Sequence, residues 1–570
     1  MEITRHFVRV GDREVHYRRA GSGPPFVLFH VSPQTSAFVM PQLLPLANSF
    51  TLIALDTPGY GDSDPLRNPA PVMADYADAV LETFDALGIK RAPVYGSHTG
   101  ANVAVELARR APGRVAAVIL DGLSLSTPEV AQDRTDHYAP RFTPTADGAH
   151  LAWAWQHTRD QLIFWPWYEA HQANRLRADM KDANYLHNVV LYKMLAPSYW
   201  LGYRAAFGHD SRDALKQLTV DTFFVTADAD VHTSVERSLP DLPPNIHFVD
   251  TTEETQLEAI RTTLETVSGD DAMAPARPPP HRRALYRTYA TISGGQRLVR
   301  RGGPDSGKPL VMLHGGMRTS ALLAETAQKI TPTRPVLVVD IAGNGDSDPI
   351  TGADLKDFAE DVLHVLDDCG VADFDLYGES IGATLAMEVA RQSNGRAGKL
   401  ILDRPELPDP DMGADLIANV APPIEARWDG THFLTAWHML RDAALFWPWY
   451  RSTAEGMRDI EPEVGPVALQ ARLLAWLKGR LTYGDYMRAA FNADPDSLLS
   501  SVTQPTLVIG LENDILELHA RMAADGIESA TLITHAFHRP PASAMAAFLG
   551  DTERNKRKAA SAAHTGEKHR

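Results

Sequence analysis

Gly378-Glu379-Ser380-Ile381-Gly382 sets a serine between two glycines in the spacing G-x-S-x-G, and Gly96-Ser97-His98-Thr99-Gly100, 282 residues earlier, repeats the spacing with histidine at its centre. Glycines at these places permit a strained strand-to-helix turn that thrusts the central side chain into solvent at the top of a parallel sheet. Ser380 is thereby offered as a nucleophile. His98 cannot be one of that kind.

The duplication reaches well beyond the two elbows. Phe26-Val27-Leu28-Phe29-His30 is echoed by Leu310-Val311-Met312-Leu313-His314, and the turn Asp56-Thr57-Pro58-Gly59-Tyr60-Gly61-Asp62-Ser63 by Asp340-Ile341-Ala342-Gly343-Asn344-Gly345-Asp346-Ser347. Trp155 to Tyr168 and Trp437 to Tyr450 share W-x-x-x-R-D-x-x-x-F-W-P-W-Y. Offsets of 282 to 284 residues persist along each half, so the period means two whole domains and not a solenoid.

At 570 residues, 44% hydrophobic and 22% charged, the chain can fill two cores of ordinary soluble composition. A formal net charge of −17 repels nucleic acid and anionic membrane alike. The single cysteine, Cys369, excludes an intrachain disulfide and a multi-cysteine metal site, and it lies on an apolar helical stripe with Phe358, Val362 and Leu366. No histidine spacing matches a zinc motif and no glycine pattern matches a dinucleotide or phosphate loop, so neither metal nor cofactor is expected. The polar amino terminus and the lack of a long apolar run predict a cytoplasmic location.

Pro275, Pro278, Pro279 and Pro280 mark a linker over 267–284. The expected domains are therefore 1–266 and 285–550, packed together within the chain, with a polar tail without a fold over 551–570. Short apolar runs (Leu52 to Leu55, Ala117 to Leu120, Phe223 to Val225) alternate with amphipathic segments such as Ala77, Val80, Leu81, Phe84 and Leu87. That alternation predicts an α/β fold: in each half, a mostly parallel sheet with helices on both faces and its ligands beyond the carboxyl ends of the strands. Two tryptophan-rich stretches, about 124–207 and 408–491, interrupt the alternation and read as helical caps that shape a pocket for a small-molecule substrate.

The loop His314-Gly315-Gly316, the Asp340 turn, the Ser380 elbow, an aspartate in Gly510-Leu511-Glu512-Asn513-Asp514 and a late His538 together resemble the capped α/β-hydrolase superfamily, twice over in one chain. The resemblance implies a triad of Ser380 as nucleophile, His538 as base and Asp514 as the acid that fixes the imidazole. His535 competes with His538 for the base, and Glu406, after the run Leu400 to Leu402, competes with Asp514 for the acid. The N–H groups of Ile381 and of Gly316, or of its neighbour Met317, would form the oxyanion hole. Glu379 reads as a surface or rim carboxylate. Pocket candidates are His314, His432, Trp437, Arg441, Trp447 and Arg488, with Arg441 or Arg488 expected to orient a carboxylate or carbonyl of the substrate.

The first half keeps Asp230 at the register of Asp514 but has His98 for the serine, Glu254 near the register of His538, and His30-Val31-Ser32-Pro33 for the donor loop, where Pro33 has no N–H. It is expected to be either a scaffold or binding module, or a site where His98 works with Asp230 or Glu254 in acid–base chemistry. For the second half the expected reaction is hydrolysis of an ester or lactone, or of a carbon–carbon bond in a diketone-like compound. A serine at the elbow argues against the aspartate-nucleophile dehalogenases and epoxide hydrolases that resemble this fold.

Overall fold

The computed structural model describes residues 2–176, 179–228, 230–267, 284–536 and 542–550. His538, most of the predicted linker and the tail lie outside the described residues. The chain splits into two compact units, Met1–Thr143 with His150–Pro279, and Pro280–Arg570 with Pro144–Ala149.

The first unit is built on strands β1 (Thr4–Val10), β2 (Arg13–Ala20), β3 (Pro25–Phe29), β4 (Thr51–Leu55), β5 (Ala92–Ser97), β6 (Val115–Asp121), β7 (Thr222–Phe224) and β8 (Ile246–Phe248). The second repeats the set as β9 (Tyr286–Ile292), β10 (Gly295–Gly302), β11 (Leu310–Leu313), β12 (Val336–Val339), β13 (Phe374–Glu379), β14 (Ala397–Asp403), β15 (Thr506–Leu511) and β16 (Ala530–His535). Sheet order is β1-β2-β4-β3-β5-β6-β7-β8 in one and, strand for strand, β9-β10-β12-β11-β13-β14-β15-β16 in the other. The central strands are parallel and buried along their whole length, as in β3, β5, β11 and β13, which is why they read as continuous apolar runs.

The antiparallel hairpins β1–β2 and β9–β10 that open each sheet were not foreseen. Their signal is the two-residue turn at Gly11-Asp12, where Gly11 adopts φ 60°. The predicted amphipathic helices are Met73–Leu87 and Leu355–Asp368, and Ala77, Val80, Phe84, Phe358, Ala359, Val362 and Leu366 are buried on their inner faces. Cys369 caps the second of these, half-buried.

Each cap is helical as expected: Pro128–His137, Ala149–Gln161, Ala183–Leu195 and Tyr199–Phe207 in the first unit, and Pro410–Asn419, Thr431–Ala443, Pro466–Leu477 and Tyr483–Phe491 in the second. Buried tyrosines tie cap to sheet. Tyr203 donates to the Ser32 carbonyl at 2.6 Å and Tyr486 to the His314 carbonyl at 3.2 Å, both in loops at the carboxyl ends of central strands. No helix among the described residues is long and apolar enough to cross a membrane.

Candidate active site

Ser380 sits between β13 and the helix Ile381–Gln392 with φ 57° and ψ −125°. This left-handed backbone is rare for a residue with a side chain and is held by the surrounding packing. A Cβ on Gly378 would lie 2.1 Å from the Gly382 carbonyl oxygen, and one on Gly382 2.6 Å from that of Leu313, so both flanking glycines are required for close approach. Gly315 lies against the serine, where an added Cβ would come 2.9 Å from Ser380 Cβ. Ile381 opens the elbow helix, at the first turn whose N–H groups have no acceptor within the helix, and Met317 in the facing loop also adopts a left-handed φ of 53°.

Ser380 Oγ donates a short hydrogen bond to Glu406 Oε1. The other oxygen of Glu406 is held by Trp447 Nε1–H from the cap at 3.2 Å. Burial pushes the Glu406 carboxyl above the usual glutamate range, against the pull of these two hydrogen bonds. Asp514 is engaged elsewhere: it is buried and ion-paired with Arg458, whose Nε donates to Oδ1 at 3.2 Å. Among the described residues, then, Glu406 and not Asp514 touches the serine, although the sequence ranked Asp514 first. His535 ends β16 opposite Leu511.

Several expected pocket residues have other work. The His314 ring is consumed by its own loop, Nδ1–H donating to the Gly315 carbonyl at 2.8 Å and Nε2 accepting from Ile341 N–H at 3.0 Å. His30 repeats the arrangement with Val31 and Thr57. Both are buried, and burial lowers their pKa, so each is a neutral loop brace. His432 is buried, accepts Arg427 N–H at 3.1 Å and is driven by burial to a pKa of about 4. Arg488 is bound to the Ala421 carbonyl and Asp485 at 3.0 and 2.8 Å. Trp437 is fully buried and Arg441 sits half-buried in the last turn of its cap helix. Of the group, Trp447 is brought to the elbow.

Glu379 is not at the rim. It is buried beneath the elbow and shared by Arg318 Nη1 at 3.1 Å and Arg404 Nη2 at 2.5 Å. Arg404 also meets Asp403 at 3.1 Å, which accepts from Tyr377 Oη at 2.6 Å. The sequence did not signal this cluster.

In the first copy His98 occupies the elbow with φ 48° and ψ −104°, and its Nε2 lies 3.4 Å from Asp230 Oδ2. Burial disfavours a charge on His98, but Asp230 outweighs it and raises the imidazole above its ordinary value. Burial likewise opposes ionisation of Asp230, yet His98 brings it down to about 2. Each partner thus favours the charged form of the other. His232 closes on His98 edge-on at 5.3 Å. A Cβ on Gly122 would lie 2.9 Å from His98 Cε1, whereas the corresponding residue of the second copy is Arg404, at a similar φ of 51°. Glycine is thus required at 122 for the room it leaves the imidazole, since the backbone alone tolerates arginine. Glu254 stands apart, fully exposed and bonded to Thr252 at 2.7 Å.

His16, Asp56 and Asp62 of the first copy lie close enough to hold a metal ion, but Asp56 is saturated by His16 Nδ1 at 2.8 Å and the N–H groups of Ser36 and Asp62 at 2.7 and 3.1 Å. Asp340 braces the second copy's turn through the same two backbone positions, so the group is read as a turn brace.

Glu236 lies under this site, its Oε1 accepting Leu123 N–H at 2.6 Å. Burial, with Asp230 and Asp121 nearby, pushes it up to about 7. The folded state therefore holds a proton that the unfolded chain releases above its ordinary pKa of 4.5, and stability is lost as pH rises from about 4.5 through 7. The loss is on the order of 3 kcal/mol at most. Hydrogen exchange of peptides covering 115–123 and 222–240 should accelerate from pH 5 to pH 8, after correction for intrinsic rates, and Glu236→Gln should flatten that trend.

The family model for the alpha/beta hydrolase fold matches residues 24–250 and again 308–526. The chain belongs to the alpha/beta hydrolase fold family. The first match covers β3 to β8 and the second β11 to β15. Curated members similar to it include the dihydrolipoyllysine-residue acetyltransferase component of the acetoin cleaving system of Cupriavidus necator, 39% identical over 20% of this chain and 30% of that one. Another is the 2-(acetamidomethylene)succinate hydrolase of Mesorhizobium japonicum, 32% identical over 20% of this chain and 40% of that one. The chain thus spans well under half the length of these relatives. Among solved structures of the family fold, a hydrolase from Pseudomonas aeruginosa PA01 is 24% identical, with a TM-score of 0.37, over 47% of this chain and 98% of its own.

Proposed function

We propose that the second copy is a serine hydrolase that needs no cofactor and acts on a carboxylic ester or lactone through an acyl-enzyme. The observation that carries this reading is the strained Ser380 elbow with its hydroxyl already donated to a buried carboxylate. Serine is a weak nucleophile until a neighbouring base takes its proton. In this reading Oγ bonds the acyl carbon as its proton passes to His538, Glu406 supplies the carboxylate that steadies the pair, and the oxygen that becomes negative is met by the N–H groups of Ile381 and of Gly316 or Met317. The proton returns to the departing alcohol, and water then releases the acid. The same groups would serve a diketone-like carbon–carbon bond, with the proton returned to carbon. Labelling with a neutral fluorophosphonate tests the reading: the modified peptide should contain Ser380 and should vanish in Ser380→Ala, and a folded protein that takes no label sinks it.

A second reading is favoured in the first copy by the His98–Asp230 ion pair and the space Gly122 leaves for the ring. We infer a proton-transfer site with His98 as the charged acid. Histidine NMR should place His98 above the ordinary imidazole pKa, and Asp230→Asn should lower it. An ordinary value in the wild type would refute the ion pair.

A further inference from the structure

Glu406 lies between the end of β14 at Asp403 and the cap helix Pro410–Asn419, so it stands on the strip of chain that leaves the sheet for the cap. A carboxylate on such a connection stays turned toward one partner only if its other side is fixed. Trp447 fixes it. Its Nε1–H reaches Glu406 Oε2 at 3.2 Å from 41 positions further along the chain, beyond the cap helix Thr431–Ala443, while Oε1 accepts from Ser380. One carboxylate thus joins the nucleophile to the cap.

The indole is itself braced. His519, on the helix Glu517–Gly526, stands edge-on to the Trp447 ring at 5.6 Å and 89°, and its Nδ1 accepts Leu407 N–H at 2.9 Å. An accepting Nδ1 leaves the ring's proton on Nε2, and burial lowers the His519 pKa, so the ring is a neutral brace. It holds both the residue after Glu406 and the tryptophan bonded to Glu406.

The chain supplies its own control. In the first copy, which lacks the serine, Ser124 stands for Glu406, Val235 for His519 and Trp165 for Trp447. Trp165 keeps its place in the cap and meets His232 edge-on at 5.5 Å, but its N–H makes no hydrogen bond among the described residues. Packing therefore accounts for the ring in both copies. It does not account for an N–H bonded to a carboxylate, which is found in the copy that has the serine.

We propose that Trp447 is a positioning residue for the reaction at Ser380: its N–H, steadied by His519, keeps the Glu406 carboxylate aimed at the serine, so that the cap completes the site it covers. This rests on the serine-hydrolase reading, and the experiment separates the two. A hydrogen bond to a carboxylate favours its charged form, so removing the donor raises the pH at which Glu406 ionises. The other groups that act on Glu406, namely Ser380, Arg458, Asp514 and Tyr486, are untouched by Trp447→Phe, which keeps a ring in place.

The rate at which the neutral fluorophosphonate labels Ser380 is followed from pH 4 to 9 in wild type and Trp447→Phe, a readout that requires no knowledge of the substrate. Labelling should slow about tenfold in Trp447→Phe, and its acid limb should move up by about half a pH unit or more. A loss of packing alone would leave the limb where it was. In the NMR spectrum of isotope-labelled protein, one indole N–H signal should titrate through the same limb in wild type and stay still in Glu406→Gln, and it should be the one missing from Trp447→Phe. An acid limb unmoved in folded Trp447→Phe overturns the proposal. So does a spectrum in which no indole signal titrates differently between wild type and Glu406→Gln, and that comparison decides by itself if Trp447→Phe does not fold. Absence of label in folded wild type, with the Trp447 signal still following Glu406, overturns the nucleophile and leaves the hold of Trp447 on Glu406 standing.

Discussion

Ser380→Ala is expected to lower kcat/KM on any ester the chain hydrolyses by about 10⁴- to 10⁶-fold, with the fold intact. The size follows from how the elbow is built. Ser380 already occupies a left-handed backbone between glycines that allow no Cβ, so the geometry survives the loss of one oxygen and only the chemistry goes. What remains should be the modest rate that donors and binding alone provide. Steady-state kinetics on 4-nitrophenyl butyrate, beside melting curves for both proteins, measure this. Activity within tenfold of wild type in a folded Ser380→Ala would remove the acyl-enzyme and shift attention to His98.

The second large effect separates two carboxylates. Glu406→Gln is expected to cost about 10²- to 10⁴-fold in kcat/KM, because the serine loses its charged partner while Trp447 and the packing stay in place. Asp514→Asn should cost activity far less and stability more, on the order of 3 kcal/mol, since Arg458 would be left partly buried with no counter-charge. In wild type the acid limb of the pH profile should lie above the ordinary glutamate range, because Glu406 must lose a proton that burial makes it keep. Activity therefore rises with pH through that limb, and Glu406→Gln should lack it. Kinetics from pH 4 to 9 with urea unfolding of both variants decides the matter, and the reverse ranking would restore Asp514 as the acid of the triad.

The elbows, the parallel strands and the helical caps could be read because each rests on local rules: glycine at close approaches, continuous apolar runs, tryptophan at a repeated spacing. The opening hairpins were missed although Gly11-Asp12 announced one of them. At the site the misreadings share a cause. His30 and His314 sit where a histidine invites a functional role, yet their nitrogens are spent on neighbouring backbone, which no spacing reveals. Asp514 outranked Glu406 because a loop position was legible while the Arg458 that engages it was not. Arg318 and Arg404 lie 86 positions apart and meet on Glu379 only once the folded chain brings them together.

The exchange of Gly122 for Arg404 says something about reversibility. His98→Ser alone would not rebuild a working elbow in the first copy. It would open a hollow beside Gly122, leave Asp230 without its cation, and face Ser124 where the second copy has Glu406. Positions 122 and 124 would have to change with it. The room that Gly122 leaves for the imidazole is thus also what keeps a serine from simply taking its place.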